Sequence, residues 1–524
     1  MSDSATILAV DLGTSGVKTA LISISGEVFG WEAESIETLF TPGGGVEQRP
    51  SDWWASFVNS SRRLLHRQHH KAENIKAICF STQGEGTIPV DNEGNPLMNC
   101  ILWMDMRGQP HLQKQHKGLL NLQGVSLSHV VEWVRKTGGM PSATGKDPAS
   151  HMLFIRDQFP HIYQRTARFL NVLDYINFKL TGRFAATLDS ILTSWLTDNR
   201  DSNHIHYDSL LIRQSGIDAD KLPEIIRCTD IVGEIRPEIA KELGLPSGIK
   251  VVGGAIDNTA AAIGAGSIAD FDTHVYLGTS SWMAAHVPFK KTDILASLAS
   301  LPCAIPGRYL LMALQATAGG NLAFLRDKIL YNKDRLLREE KAKDIFEIFD
   351  KIAEEVPAGA RGVIYTPWIW GERAPVEDRT LRAGYFNMSL NNSREDMIRA
   401  TFEGIAYNTR WLLQPFEKFM GKPIGHINLV GGGAQADVWC QIIADVMNVE
   451  IRQVKDPIYA NARGAAWIGA VGIGEINFED IHSLVKIQKI YLPTPEHRGI
   501  YDEGFAVFKE LYKKLNPIYK RLNH

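Results

Sequence analysis

The tetrapeptide Leu-Gly-Thr-Ser occurs twice in this chain, at residues 12–15 and 277–280, each time between two apolar runs. Each copy reads as strand, tight turn, strand. Glycine in such a turn lets backbone N–H groups approach a ligand, and successive N–H groups form an anion-binding concavity. In the first copy Thr14 and Ser15 add donors, Lys18 adds charge, and Asp11 stands just before the turn. A carboxylate beside phosphate needs a cation between them, and Mg²⁺ is the usual one. One copy alone fits an ordinary hairpin. Two copies predict two related domains whose turns face one phosphate chain.

The length of 524 residues requires more than one core, so two large domains are expected. Net charge is −3, from 56 Lys and Arg against 59 Asp and Glu, which argues against nucleic acid as a partner. The basic run at residues 62–71 ends a predicted helix, where cations suit the dipole and the solvent. Five scattered cysteines (Cys79, Cys100, Cys228, Cys303 and Cys440) give no zinc spacing and fit a reducing cytoplasm. No signal peptide is read at the N-terminus, and the small-residue run 251–269 contains Asp257 and many glycines, so no membrane span is expected.

Along the chain, Pro50 and Ser51 open a helix, with Ser51 as the expected cap and Trp53 and Trp54 as core residues. A strand at 75–80 ends in the polar loop Ser81-Thr82-Gln83-Gly84-Glu85-Gly86, and an apolar segment at 101–107 closes on Asp105 and Arg107. Polar loops at strand ends are where α/β folds bind ligands, so Gln83, Glu85, Trp103, Asp105 and Arg107 form one candidate pocket suited to several hydroxyls and a carbon skeleton. Residues 109–243 read as mainly helical. The strand at 249–256 then runs through Gly253 and Gly254 into Asp257 and an alanine-rich helix. Asp257 fits an N-cap, and the helix N-terminus is expected to keep it ionised. A positioned, ionised Asp also suits phosphoryl transfer, orienting a hydroxyl and receiving its proton late. Ser393 and Asp396 resemble a capping box. Residues 427–437 give strand, glycine loop, helix. They also match a dinucleotide fingerprint, but Glu450 precedes the next strand where a ribose-binding acid should end it. The tail, 500–522, is amphipathic.

These residues together resemble the FGGY carbohydrate kinases, with xylulokinase and glycerol kinase as the nearest branches. The likeness rests on residues 11–18, Glu47-Gln48-Arg49-Pro50, the 253–258 stretch, residues 277–280, Gly371-Glu372-Arg373-Ala374-Pro375 and Gly431-Gly432-Gly433-Ala434. It implies an α/β fold of two ribonuclease H-like domains, of the actin/hexokinase/Hsp70 ATPase type, with a nucleotide and sugar cleft between them. The expected division is residues 1–252 (sugar side), 253–484 (nucleotide side) and a mainly helical extension at 485–524. The implied cofactors are ATP and Mg²⁺. Asp257 falls at the catalytic base and Asp11 at the metal. Gln83, Gly84, Glu85, Trp103, Asp105, Asp257 and Asn258 fall on the sugar side. Gly13, Thr14, Ser15, Lys18, Gly278, Thr279, Gly319, Gly433 and Asp437 fall around the nucleotide. The expected partner is a small sugar or polyol, with neither nucleic acid nor membrane, and a homodimer is left open. A ketopentose such as D-xylulose is the first acceptor to consider. The sugar loop nevertheless has Glu85 where xylulokinases carry His, so another ketose or a polyol fits as well. An ATPase switch on the same fold is the rival from another class.

Overall fold

The computed structural model describes residues 5–68, 74–122, 124–330 and 345–523. Residues 1–4 and the end of the basic run, 69–71, lie outside that set. The segment TILAVDLG is almost wholly apolar, so its strand can bury both faces at the centre of a sheet. It forms β1 (Thr6–Gly13), which turns through Thr14-Ser15 into β2 (Gly16–Ser23). With β3 (Val28–Ser35), β4 (Ile75–Thr82), β5 (Ile231–Glu234) and β6 (Lys250–Ile256), these make a six-stranded sheet of order β5-β6-β4-β1-β2-β3. The β1–β2 pairing is antiparallel, while β1–β4 and β4–β6 are parallel.

The second sheet repeats this plan. The hairpin of β7 (Thr273–Leu277) and β8 (Ser281–Val287) turns through Gly278 to Ser280. It is flanked by β9 (Thr292–Asp293), β10 (Leu298–Pro302) and β11 (Tyr309–Gln315) on one side. On the other lie β12 (His426–Val430), β13 (Glu450–Val454) and β14 (Ile487–Tyr491), giving the order β9-β10-β11-β8-β7-β12-β13-β14. Here too the hairpin is antiparallel, and β7–β12 and β12–β13 are parallel. The two Leu-Gly-Thr-Ser turns therefore occupy equivalent positions in two like sheets.

Helices cover both faces of each sheet. The outer face of the first is packed by α1 (Pro50–Arg67) and α2 (Val172–Thr181). In α1, Arg49 rather than Ser51 takes the cap position, because Pro50 tolerates the first helical site. The outer face of the second sheet is packed by α5 (Arg394–Met420) and α6 (Asp437–Met447), and α5 opens with Asp396 Oδ2 accepting the Ser393 N–H at 2.9 Å. Two further helices exchange sheets. α3 (Asp257–Gly264) follows β6 of the first sheet, yet its Ala261, Ala262 and Ile263 share a core with Trp282, Ala284 and Leu310 of the second. α7 (Ala460–Gly472) follows β13 of the second sheet, yet its Ala465, Ala466 and Trp467 pack with Ile7, Ala9 and Cys79 of the first.

The exchange makes α3 and α7 cross in contact. A Cβ on Gly264 would lie 1.8 Å from the Ala460 carbonyl oxygen, and one on Gly464 would lie 1.8 Å from that of Ala260. β6 runs through the 252/253 junction expected from the sequence and pairs only within the first sheet, so we propose the junction after Gly264 instead. In the final segment, β14 edges the second sheet and α8 (Arg498–Leu522) buries Tyr501 and Phe508 in its core. Among the described residues no helix is long and apolar enough to cross a membrane. α4 (Gly319–Phe324) opens at Gly319-Gly320, shortly after β11.

Candidate active site

Four acids gather where the two sheets face each other. Asp11 is buried on β1, with Lys18 Nζ at 3.7 Å from one carboxylate oxygen and Asn461 Nδ2 donating to the other at 3.3 Å. Burial raises its pKa, and Lys18 opposes the rise. The other amide atom, Asn461 Oδ1, is buried without a partner among the described residues. Asp257 is the first residue of α3 rather than its cap, and its Oδ1 accepts the Asn258 N–H at 2.8 Å. Asp189 anchors this helix start by accepting the Ile256 N–H at 2.8 Å and the Thr259 hydroxyl at 2.7 Å. Glu85 sits in the left-handed region, at φ 59°, between two glycines of the loop after β4. Burial, then Asp11, with smaller additions from Asp189 and Glu85, pushes the Asp257 carboxyl up to about 7. The helix terminus was expected to keep it ionised, but desolvation and three like charges outweigh that dipole.

Around the first turn, hydroxyl and amide groups lock to one another. Thr14 Oγ1 donates to Gln83 Oε1 at 2.9 Å and accepts the Trp103 indole N–H at 3.1 Å. Gln48 Nε2 donates to the Thr14 carbonyl at 2.7 Å, and Gln48 Oε1 accepts from Gln83 and from Trp53, each at 2.9 Å. The polar atoms of Thr14 and Gln83 are thus spent on holding the turn against the sugar loop. Asp105 is fully buried, and its carboxylate takes the Val46 N–H and the Arg107 guanidinium, which also pairs with Glu47. We propose a positioning role for Asp105 and Gln83 in place of direct substrate contact. Trp103, Gly84, Glu85 and Asn258 stay partly exposed in the cleft, as do Gly13, Ser15 and Lys18. A Cβ on Gly13 would meet only the Gly16 carbonyl oxygen at 3.7 Å, so the fold itself does not demand glycine there. Bare backbone at this point suits close approach of phosphate. Gly13→Ala is expected to keep its thermal midpoint and to weaken ATP binding about tenfold, as read by calorimetric titration.

Across the cleft, three loops are laced at the ends of β7, β11 and β12. Ala318, Gly319 and Gly320 donate N–H groups to the carbonyls of Thr279, Gly278 and Thr279 at 2.8, 2.9 and 3.0 Å. A Cβ on Gly319 would come 2.7 Å from the Gly278 carbonyl, and one on Gly431 would come 2.7 Å from that of Leu277. The Thr279 side chain is exposed. Gly433 has a packing reason of its own, since a Cβ would strike Trp439 at 2.6 Å, and Asp437 pairs with Lys489 at 2.8 Å. Glu372 ties the assembly together. Its buried carboxylate accepts the Ala316 and Arg373 N–H groups, each at 2.8 Å, and the Asn408 amide at 2.5 Å. Asp189 and Asn461 carry no sequence signal for these roles, and Glu372 shows only as part of the 371–375 motif, because their partners arrive from distant segments.

The chain belongs to the FGGY family of carbohydrate kinases: residues 6–264 match its N-terminal domain and residues 274–473 its C-terminal domain. It is therefore a phosphotransferase with the two-domain, actin/hexokinase-like ATPase fold. The chain is 28% identical over 524 residues to a xylulose kinase of Bacillus subtilis, covering 98% of each chain. Among solved structures it is similar to a gluconate kinase and a ligand-bound xylulose kinase, both from Lactobacillus acidophilus. Each has a TM-score of 0.84 and 24% identity, covering 99% of this chain and 100% of the other.

Proposed function

We propose that this sugar kinase transfers the γ-phosphoryl group of ATP to a hydroxyl of a small open-chain sugar held between Trp103, Glu85 and Asp257. The observation that carries the reading is the Asp257 carboxyl at the start of α3, near enough to feel the charge of Asp11 beside the first turn and to act on Tyr276 beside the second. The acceptor oxygen forms a bond to the γ-phosphorus while the bond from phosphorus to the β–γ bridging oxygen breaks, ADP leaves, and the hydroxyl proton passes to Asp257. In the second domain the exposed Thr279 offers its hydroxyl to the phosphates, on a loop that the Gly278 and Gly319 N–H groups brace from within, with Ser15 and Lys18 opposite.

Asp11 and the unpartnered Asn461 carbonyl oxygen supply hard oxygen ligands, which fit a divalent cation. They would hold Mg²⁺, which when bound screens the Asp11 carboxylate from the phosphates. Names of relatives support a ketopentose such as D-xylulose, and Glu85 supports another ketose or polyol. The test is ADP release from Mg-ATP with and without each acceptor of a panel. Strong stimulation by one acceptor is the expected result, whereas ATP hydrolysis indifferent to every acceptor would favour an ATPase switch.

A base with its pKa raised to about 7 loses function on the acid side. Below that pH Asp257 carries a proton and cannot take another, so kcat/KM for the acceptor is expected to fall about tenfold per pH unit. Glu85→Gln removes one of the charges that raise Asp257, and the acid limb should move to lower pH. An acid limb that moves to higher pH in this variant would argue against Asp257 as the titrating group.

A further inference from the structure

The C-terminal helix is longer than its packing requires. Along α8, Tyr501, Gly504 and Phe508 are buried, and the helix then runs about four turns further. Its first turns are fixed in the core. The Tyr501 hydroxyl accepts from Arg399 Nη2 at 2.7 Å and donates to Glu403 at 2.9 Å, and the Phe508 ring lies 5.2 Å from that of Trp368. At the far end the polar contacts go elsewhere. Asn516 Nδ2 donates to Asp378 Oδ2 at 2.5 Å, and just past the helix Asn523 Nδ2 donates to the Thr380 carbonyl at 2.8 Å. Both reach the loop of residues 371–382, which carries Glu372.

That loop is a clasp between the two domains. Glu372 and Asp378 exchange backbone hydrogen bonds, each at 2.9 Å, and a Cβ on Gly371 would lie 2.7 Å from Arg379 Cα, so the two arms are in contact. On one arm the Glu372 carboxylate holds the Ala316 and Arg373 N–H groups and the Asn408 amide, so this arm is secured to the end of β11 without the tail. On the other arm Arg379 Nη1 donates to Met106 Sδ of the first domain at 2.9 Å. Met106 stands between Asp105 and Arg107, three residues after Trp103. Arg379 is exposed and a thioether is a weak acceptor, so this contact cannot fix the arm by itself. The fixed point comes from behind. Asp378 Oδ1 takes the Thr380 N–H at 2.8 Å and the Thr380 hydroxyl at 2.6 Å, which leaves Oδ2 for Asn516. One carboxylate thus joins the turn that presents Arg379 to the tail helix.

We propose that Asn516 and Asp378 are positioning residues for acceptor phosphorylation. By pinning the loop from behind they keep Arg379 against Met106, and so hold the segment that carries Trp103 at the acceptor end of the cleft. Both act through the loop, and a misplacement of about 1 Å at such a remove is enough to cost a large factor in rate. The effect falls on the acceptor rather than on ATP, because the Glu372 arm has three hydrogen bonds of its own. This inference rests on the sugar-kinase reading and adds the C-terminal helix to its acceptor side.

The test is steady-state kinetics at about pH 8, with Mg-ATP and the panel acceptor that most stimulates ADP release. Asn516→Asp keeps the shape but sets a second carboxylate against Asp378, and like charges at that distance repel. The KM for the acceptor should rise about tenfold, while the KM for ATP stays within about twofold and the thermal midpoint is little changed. Adding Asp378→Asn restores one amide and one carboxylate, and should bring the acceptor KM back to within about threefold of the parent. Arg379→Ala alters an exposed side chain and should reproduce the rise, so it decides the matter if Asn516→Asp fails to fold. An acceptor KM unmoved by Arg379→Ala overturns the inference. A lowered thermal midpoint in Asn516→Asp with both KM values unchanged would reduce the tail to a structural role and also overturn it. A rise in the KM for ATP instead would assign the loop to the nucleotide, with the same consequence. ADP release that no acceptor stimulates in the parent would bring down the sugar-kinase reading itself, and the inference with it.

Discussion

Asp257→Asn is expected to lower kcat by about a thousandfold while ATP binding stays within a few-fold of the parent. Asparagine keeps the shape and one acceptor oxygen, so the Asn258 N–H retains its partner. Asp189 still fixes Ile256 and Thr259, so the helix start keeps its place. What is lost is a group able to receive the acceptor proton. The variant also removes a carboxylate whose burial raises its pKa, so its thermal stability should equal or exceed the parent's above pH 7. The sign follows from the raised pKa: the native carboxyl holds a proton that the unfolded chain releases between about pH 4 and 7, so this residue costs stability as pH rises through that window. Rate measurement under saturating acceptor, paired with calorimetric titration of ATP, checks both halves. Loss of ATP affinity with unchanged fold would make Asp257 a nucleotide ligand rather than the base.

Much of this site was legible because it is local. The turns at Gly13 and Gly278 are written in four consecutive residues each, and it is their repetition that lifts them above an ordinary hairpin. The strand into Gly253, Gly254 and Asp257 is equally compact. A Cβ on Gly254 would lie 2.3 Å from the Phe80 carbonyl, and its φ is 79°, so that glycine answers to the sheet as much as to the acid. Other features depend on who meets whom. Gln83 and Asp105 were visible as polar residues in a loop, but Gln48, Thr14 and Arg107, which consume their polar atoms, are a matter of tertiary placement. The helix terminus that favours an ionised Asp257 is local, whereas the burial and the charges of Asp11, Asp189 and Glu85 that raise its pKa come from other segments. The exchange of α3 and α7 between sheets was equally hidden: alanine-rich faces announce burial without naming the sheet that buries them.

That exchange yields the second large effect. Gly464→Val is expected to destabilise the protein by about 3 kcal/mol or more, and to leave much of it insoluble at growth temperature. Two backbones meet at this crossing with no side chain between them, and a Cβ on Gly464 would sit 1.8 Å from the Ala260 carbonyl oxygen and 2.6 Å from its carbon. The atoms struck are backbone, so no rotamer change can relieve the clash. The helices must separate, and with them the alanine and Trp467 contacts that α7 makes with the first sheet. Gly472, at the end of the same helix, also lies close to backbone, with a Cβ 2.5 Å from the Thr229 carbonyl, but at the margin of the pair. Gly474 has open space around it, and its φ of 79° alone resists substitution, so Gly474→Ala should cost only about 1 kcal/mol. Thermal unfolding of the soluble fraction compares the two. The crossing is also where the domains touch while the cleft between them must admit and release substrate. A folded Gly464→Ala variant should therefore lose kcat more than ATP affinity, as expected when closure rather than binding is impaired. Equal stability of Gly464→Val and Gly474→Ala would show that the helices part without loss, and that the sheets hold their relative position by other contacts.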